Sequence, residues 1–392
     1  MSHPSGKHGS RLKVAVDVTP LAGPRTGVGN LVAGFIDALR AEVGLDLVFY
    51  AVTVRGRVEI AAELDARIPP LPARLLRALW LRSDWPAVDL WAGRVDVVHG
   101  MNYVVPPSKS GSALVSVHDL TVVRYPEMCT SDTLHYPTLL RRAFARGAHA
   151  HVDSAFVGEE LLSWSGLSRD RLHVVNPGLR PLDPFRPNER GEPCAPSEGR
   201  FPSLAGGRPF ILALGTVEPR KGYPTLVRAF AELAVGEPDL LLVFAGGDGW
   251  GAVDLGDLTA RLPIGIRRRI VRLGYVNEAE KFWLLGHARV LAYPSVYEGF
   301  GLPPLEAMQR GTPVVSSNAG SLPEVLGDAA VFVSTDDPVG LAEELLRVHS
   351  DSDLRSSLVE AGLKRSATYT WRRAGSEMAE VYRTVAGPAE KP

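Results

Sequence analysis

Short apolar runs that end in turns and lead into helix-forming stretches recur along the whole chain, and the series restarts once past its middle. The runs are Leu12–Val18, Leu45–Val54, Val95–Gly100, Ala113–Leu120, Ala150–Ser154 and Leu172–Gly178, then Pro209–Leu214, Leu240–Ala245, Val271–Val276, Val290–Tyr293 and Thr312–Val315. Most are apolar throughout instead of alternating with polar residues. Strands buried on both faces read this way, and such strands need a crossover helix before the next parallel neighbour. The chain is therefore expected to be α/β, with two parallel sheets carrying helices on both faces. Between the two series, 177–209 is dense in proline and glycine without a period, which marks an interdomain connection. The expected division is 1–180, a linker 181–208, 209–370, and a final helix over 371–392 beginning at Trp371.

Composition narrows the function classes. A chain of 392 residues suggests two domains, and 45% hydrophobic with 22% charged residues is ordinary for a globular protein with sizeable cores. Lys and Arg total 43 against 44 acidic residues, so nothing points to nucleic acid. Two cysteines, Cys129 and Cys194, imply no disulfide framework and a reducing compartment. The polar head 1–10 lacks the apolar segment of a signal peptide, and no apolar run approaches the length of a membrane span. A cytoplasmic location is expected. One basic amphipathic segment, Leu71–Arg82, has two readings: a helix packed on its own domain, or a peripheral contact with the inner face of a membrane.

The most informative stretch is Tyr297-Glu298-Gly299-Phe300-Gly301-Leu302-Pro303-Pro304-Leu305-Glu306-Ala307-Met308, which follows the run Val290–Tyr293. Gly299 and Gly301 permit backbone angles and a close ligand approach that a side chain would block. The prolines suit the first turn of a helix. Strand, glycine loop and helix start together make an anion site with two acidic groups beside it, Glu298 and Glu306. A nucleotide sugar, with hydroxyl-bearing units joined by phosphates, suits that layout.

Glu298 and Glu306, with seven residues between them in Glu-Gly-Phe-Gly-Leu-Pro-Pro-Leu-Glu, resemble the paired-glutamate motif of family-4 retaining glycosyltransferases of the GT-B fold. The resemblance implies two Rossmann-like parallel-sheet domains facing a central cleft, with the acceptor side N-terminal and the nucleotide-sugar side C-terminal. It also covers Gly215-Thr216-Val217-Glu218-Pro219-Arg220-Lys221-Gly222, a strand-to-helix turn that looks like the family's diphosphate clamp. Adjacent cations are suited to clamping, since arginine forks onto phosphate oxygens and lysine adds a point charge. The turns at Gly246-Gly247 and Tyr275-Val276 then flank the base and ribose, and Ser321–Val325 resembles the small turn near the phosphate end. In the first half, Thr26-Gly27-Val28-Gly29-Asn30 follows the first strand as a glycine turn. The resemblance sets Gly27 and Gly29 facing the donor phosphates and the acceptor. Val117-His118-Asp119-Leu120, with Pro126-Glu127 after it, looks like the mannosyltransferase branch, where His118 lies near the transferring sugar. His99, at the end of another strand, reads as a structural residue.

The implied activity is retaining transfer of a hexose from a nucleoside diphosphate sugar to an acceptor hydroxyl on a glycan, a lipid-linked glycan or a small molecule. The donor favoured by the resemblance is GDP-mannose, with UDP-hexose or UDP-N-acetylhexosamine as the alternative. Arg220, Lys221 and the N–H groups after Gly299 would stabilise the departing diphosphate, a role that metal ions fill elsewhere. No Asp-x-Asp cluster is visible, so neither metal nor cofactor is expected. Glu298 would hold sugar hydroxyls, Glu306 the ribose, and His118 the sugar from the opposite domain. Three rivals are a nucleotide-sugar epimerase of the same architecture, an idle nucleotide-binding scaffold, and an NAD-dependent oxidoreductase. Against the last, Val32 stands where the third glycine of a dinucleotide fingerprint belongs.

Overall fold

The computed structural model describes residues 11–23, 27–53, 57–181, 207–249 and 254–387. The polar head 1–10, most of the linker 181–208, Thr26, Cys194 and Trp250 lie outside the described residues. The chain forms two compact units. The first comprises Met1–Val123, Ser131–Gly178 and Thr370–Pro392; the second comprises Arg124–Thr130 and Leu179–Tyr369.

The first unit holds a six-stranded sheet of β1 (Leu12–Asp17), β2 (Leu45–Tyr50), β3 (Val97–Gly100), β4 (Ser112–Val117), β5 (His149–Val152) and β6 (Leu172–Val174). The order is β2-β1-β3-β4-β5-β6, and every pairing is parallel. β2 stops at Tyr50, short of the expected Val54, because the Ala51 N–H turns to a carbonyl outside the sheet, that of Arg67. The glycines expected as a turn, Gly27 and Gly29, lie instead in the first turn of the helix Gly27–Arg40. This helix buries Leu31, Val32, Phe35, Ile36 and Leu39, and that apolar stripe continues back to Gly29. The basic amphipathic segment forms the helix Ala73–Trp80, which buries Leu76 and Trp80 in a small satellite core with Leu139. It therefore packs on its own unit. No described helix is long and apolar enough to cross a membrane.

The last helix, Trp371–Ala386, lies on the first unit beside Gly27–Arg40. Trp371 fills the space that a side chain at position 34 would need. A Cβ on Gly34 would lie 2.1 Å from the Trp371 ring, and the same ring meets Phe35 edge to face at 5.2 Å.

The second unit holds β7 (Phe210–Leu214), β8 (Leu241–Ala245), β9 (Ile270–Gly274), β10 (Val290–Tyr293), β11 (Val314–Ser317) and β12 (Val331–Val333) in the order β12-β11-β10-β7-β8-β9, again all parallel. β12 was not legible in the sequence: it has three residues, two of them only half-buried. Alternate residues of β7 explain the unbroken apolar run. Phe210, Leu212 and Leu214 join a core on one face with Leu305, Ala307 and Met308 of the helix Leu302–Gln309. Ile211 and Ala213 join a core on the other face with Leu226, Phe230 and Leu345. Counted from β7, the strands run 3-2-1-4-5-6, so the winding direction reverses between β7 and β10. In open parallel sheets the ligand crevice forms outside the carboxyl ends of the strands at such a reversal.

Gly34→Val should force the Trp371 ring aside and cost about 1–3 kcal/mol, the usual range for overpacking a filled site. A urea melt that left the variant's midpoint unchanged would show that the last helix does not rest there.

Candidate functional site

The loops leaving β7 and β10 meet at the reversal point. Lys221 and Arg220 follow β7 and Glu298 follows β10. Lys221 Nζ donates to Glu298 Oε1 at 2.7 Å and to the Tyr293 hydroxyl at 2.9 Å. The Tyr293 hydroxyl in turn donates to Glu298 Oε1 at 3.0 Å. Arg220 Nη1 lies 2.7 Å from Glu298 Oε2, and its Nη2 donates to Glu218 Oε1 at 2.6 Å. Two cations and two carboxylates therefore form one network, with Glu218, Lys221 and Glu298 all buried. Burial alone would push the Glu298 carboxyl up. The Arg220 and Lys221 charges outweigh it and hold Glu298 at about 2. Lys221 stands below its ordinary value, because burial and the neighbouring Arg220 outweigh the Glu298 charge.

Glycine allows these loops to come close. Gly222 lies at φ +65°, and a Cβ there would sit 2.0 Å from the Pro294 carbonyl oxygen, where β10 ends. Gly246, at φ +152°, would place a Cβ 2.0 Å from Gly215 O. The turns after β7, β8 and β9 are tied in series, with Gly215 N–H donating to Ala245 O and Gly246 N–H to Gly274 O. Val217 N–H donates to Gly247 O, which fixes Thr216 between the two turns. Gly301 caps the helix Leu302–Gln309 at φ +98°. Pro303 and Pro304 lack N–H groups, so the donors at this helix start are those of Leu302 and the preceding loop. The Phe300 side chain lies in the core against Tyr369, so only its backbone belongs to the loop. Leu302 and Val276 are half-buried against the same core, and Tyr275 is 68% exposed at the end of β9. Ser321 binds the loop from behind, its N–H and hydroxyl both donating to Glu298 O.

The two glutamates do not share partners. Glu306 accepts from Lys281 Nζ at 2.9 Å, and Lys281 also lies 3.3 Å from Glu278. A cavity of about 790 Å³ opens at the other end of this sheet, beside Phe210 and Arg289, and is lined by none of these residues.

His118, Gly27 and Gly29 belong to the first unit. Gly27 is exposed and Gly29 buried. His118 is buried just past β4. Its partner is Asp153, not the adjacent Asp119, which instead accepts from the Tyr103 hydroxyl. Nδ1 lies 2.7 Å from Asp153 Oδ2 and Nε2 lies 2.8 Å from Met101 O. Both neighbours are acceptors, so the imidazolium satisfies both contacts and neither neutral tautomer does. Burial would lower the His118 pKa, but Asp153 and the Met101 carbonyl more than offset it, and the pKa is raised. His99, buried between the Tyr382 and Ser116 hydroxyls, is structural.

Sequence reasoning missed four participants. Tyr293 was read as the end of an apolar run, although a strand's last residue borders the crevice. Glu218 lay inside the quoted cationic turn without a role. Asp153 ended a strand in the same way as His118. Lys281 gave no signal beyond the Glu278-x-x-Lys281 spacing.

Residues 198–365 match the family described as glycosyl transferases group 1. The chain is 28% identical over 399 residues to the O-antigen chain mannosyltransferase B of Escherichia coli, covering 95% of this chain and all of that protein. It is 34% identical over 187 residues to the phosphatidyl-myo-inositol mannosyltransferase of Mycolicibacterium smegmatis, 46% of each chain. Its fold is similar to that of sucrose-phosphate synthase from Thermosynechococcus elongatus, with a TM-score of 0.71 at 20% identity over 96% of this chain and 99% of that one. Two Rossmann-like parallel sheets and these neighbours define the class as GT-B. Residues 198–365 thus resemble a group 1 glycosyltransferase domain, and similarity to a glycosyltransferase extends over 95% of the chain.

Two outcomes test this electrostatic account. A carboxyl lowered from 4.5 to about 2 favours the folded state in its ionised form over its protonated form, an advantage fully present above pH 4.5 and lost as the pH falls toward 2. The stability gap between wild type and Glu298→Gln should therefore be constant near neutrality and narrow below pH 4.5; a gap that grows in acid would contradict it. Asp153→Asn should lower the His118 pKa, seen as a shift of the imidazole ¹⁵N titration to lower pH. An unmoved midpoint would dissociate His118 from Asp153.

Proposed function

We propose that the protein transfers mannose from GDP-mannose to an acceptor hydroxyl with retention at the anomeric carbon. The observation that carries this reading is the Arg220–Lys221–Glu298 network at the reversal point of the second sheet. The preference for mannose rests on the E. coli relative, whose similarity runs over 95% of the chain, and on the His118-Asp119-Leu120 stretch. The retaining outcome rests on resemblance to family-4 enzymes.

In this reaction the bond from the anomeric carbon to the diphosphate breaks and the acceptor oxygen bonds to that carbon. The acceptor's proton leaves with the nucleoside diphosphate. The obstacle is negative charge on the departing phosphate. Lys221 and Arg220 answer it, aided by the N–H groups of the Gly299–Leu302 loop and the positive end of the helix Leu302–Gln309. Glu298 holds both cations in place and presents its acceptors to the sugar hydroxyls. Lys281 keeps Glu306 directed, and Glu306 receives the ribose hydroxyls. With these cations supplying the counter-charge, turnover requires no metal ion.

Lys221→Ala should weaken GDP-mannose binding at least tenfold, which corresponds to about 1.4 kcal/mol. Glu298→Gln should keep most of the binding and lose at least a hundredfold in kcat, while EDTA leaves wild-type turnover unchanged. Isothermal titration and a radiolabelled-transfer assay read these effects. Wild-type donor affinity in Lys221→Ala would sink the assignment, and stronger binding of a UDP-sugar would replace the donor.

A further inference from the structure

The strands of the second sheet begin at the end away from the Lys221–Glu298 network. β7 has five residues, which at about 3.3 Å each span about 16 Å. The cavity of about 790 Å³ opens there, beside Phe210, where β7 starts, and Arg289, which precedes β10. Its volume falls in the range of small-molecule pockets, roughly 300–1,000 Å³. Trp283 and His287 of the helix Glu278–His287 line it with rings stacked at 4.3 Å and planes 16° apart. Arg208, Arg289 and Arg355 line it as well.

These three guanidiniums have no counter-ion among the described residues. Arg289 donates through Nε and Nη2 to His349 O at 3.2 and 2.9 Å, and Arg355 donates through Nη1 to the same carbonyl at 2.8 Å. Arg208 donates to the Asp239 and Pro238 carbonyls. His349 O lies at the C-terminal end of the helix Pro338–Ser350, and such an end carries only about half a negative charge. The neighbouring carboxylates are engaged elsewhere. Glu360 pairs with Lys364 at 2.6 Å, Glu237 lies 3.5 Å from His349, and Asp351 accepts from the N–H groups of Asp353 and Leu354. Burial and the Arg355 charge hold the Arg289 pKa below its ordinary value, the direction expected of cations side by side with no anion between them. Arg289 Nη1 and Arg355 Nε and Nη2 make no hydrogen bond to the described residues. The carbonyls orient the forks, and the charge and the remaining donors face the cavity unanswered.

We propose that this cavity is a second ligand site, which takes a phosphate ester carrying a planar ring, a nucleoside monophosphate in chemical class, with the phosphate on Arg289 and Arg355 and the ring against the Trp283–His287 stack. The arginine fork matches phosphate oxygens two at a time. A phosphate monoester carries about −1.5 to −2 charges at neutral pH, which two guanidiniums balance. The stacked rings offer a base a flat aromatic wall. A neutral nucleoside lacks the charge, and inorganic phosphate lacks the ring. The site shares no residue with the Arg220–Lys221–Glu298 network, so it does not depend on the donor assigned above.

The test is isothermal titration of the full chain with adenosine 5′-monophosphate, ribose 5-phosphate, inorganic phosphate and adenosine. The monophosphate should bind wild type and Lys221→Ala alike, and more tightly than the other three probes. Arg289→Gln and Arg355→Gln should each weaken it tenfold or more, with circular dichroism checking that both variants fold. His287→Ala, which alters an exposed side chain, should weaken the monophosphate about threefold and leave inorganic phosphate unmoved. No binding of the monophosphate to wild type at millimolar concentration overturns the proposal, as does binding that both arginine substitutions leave intact. Binding lost in Lys221→Ala would place the probe in the donor site and overturn it too, and inorganic phosphate binding as tightly as the monophosphate would remove the ring from it. Retention on phosphatidylglycerol vesicles that the arginine substitutions abolish, without binding of the monophosphate, would assign these cations to lipid headgroups instead.

Discussion

The Lys221–Glu298 ion pair joins the loop that leaves β7 to the loop that leaves β10, and the rest of the second unit's site depends on that junction. A buried ion pair adds little net stability, because removing two charges from water costs about as much as their attraction returns. Its value here is positional. β7 and β10 are neighbours in space although β8 and β9 intervene in the chain, so no local turn sets one loop against the other. Glu298 between two cations provides the register, and Tyr293 and Glu218 satisfy the remaining hydrogen-bonding capacity. Gly222 makes the approach possible, since a Cβ there would strike Pro294 O.

The sheets were legible because burial on both faces leaves apolar runs such as Phe210–Leu214, and because glycine and proline mark the turns between them. The cationic turn and the glutamate loop were legible because their chemistry is contiguous in sequence. Partners far apart in the chain were not. Asp153 meets His118 across 35 positions and Tyr293 meets Lys221 across 72, and no pattern in either segment announces the other. Gly27 and Gly29 misled in the opposite direction. Glycine spacing suggested a turn, but the apolar stripe that begins at Leu31 extends the helix back over them.

Buried charges in each unit are matched by their neighbours. Glu298 is held anionic by two cations, and in the first unit a carboxylate and a carbonyl raise the His118 pKa. Glu298 does not change charge near neutral pH, so it does not serve well as a proton shuttle, which needs a pKa close to the working pH. Fixed charges serve another purpose. Charge that is oriented before the reaction stabilises developing charge without the cost of reorganisation at the moment of bond breaking. A glycosyl transfer whose main difficulty is the charge on a departing diphosphate gains more from such an arrangement than from a titrating base. Asp17 differs: burial raises its carboxyl to about 6 against the bonds from Thr19, with no cation to oppose it.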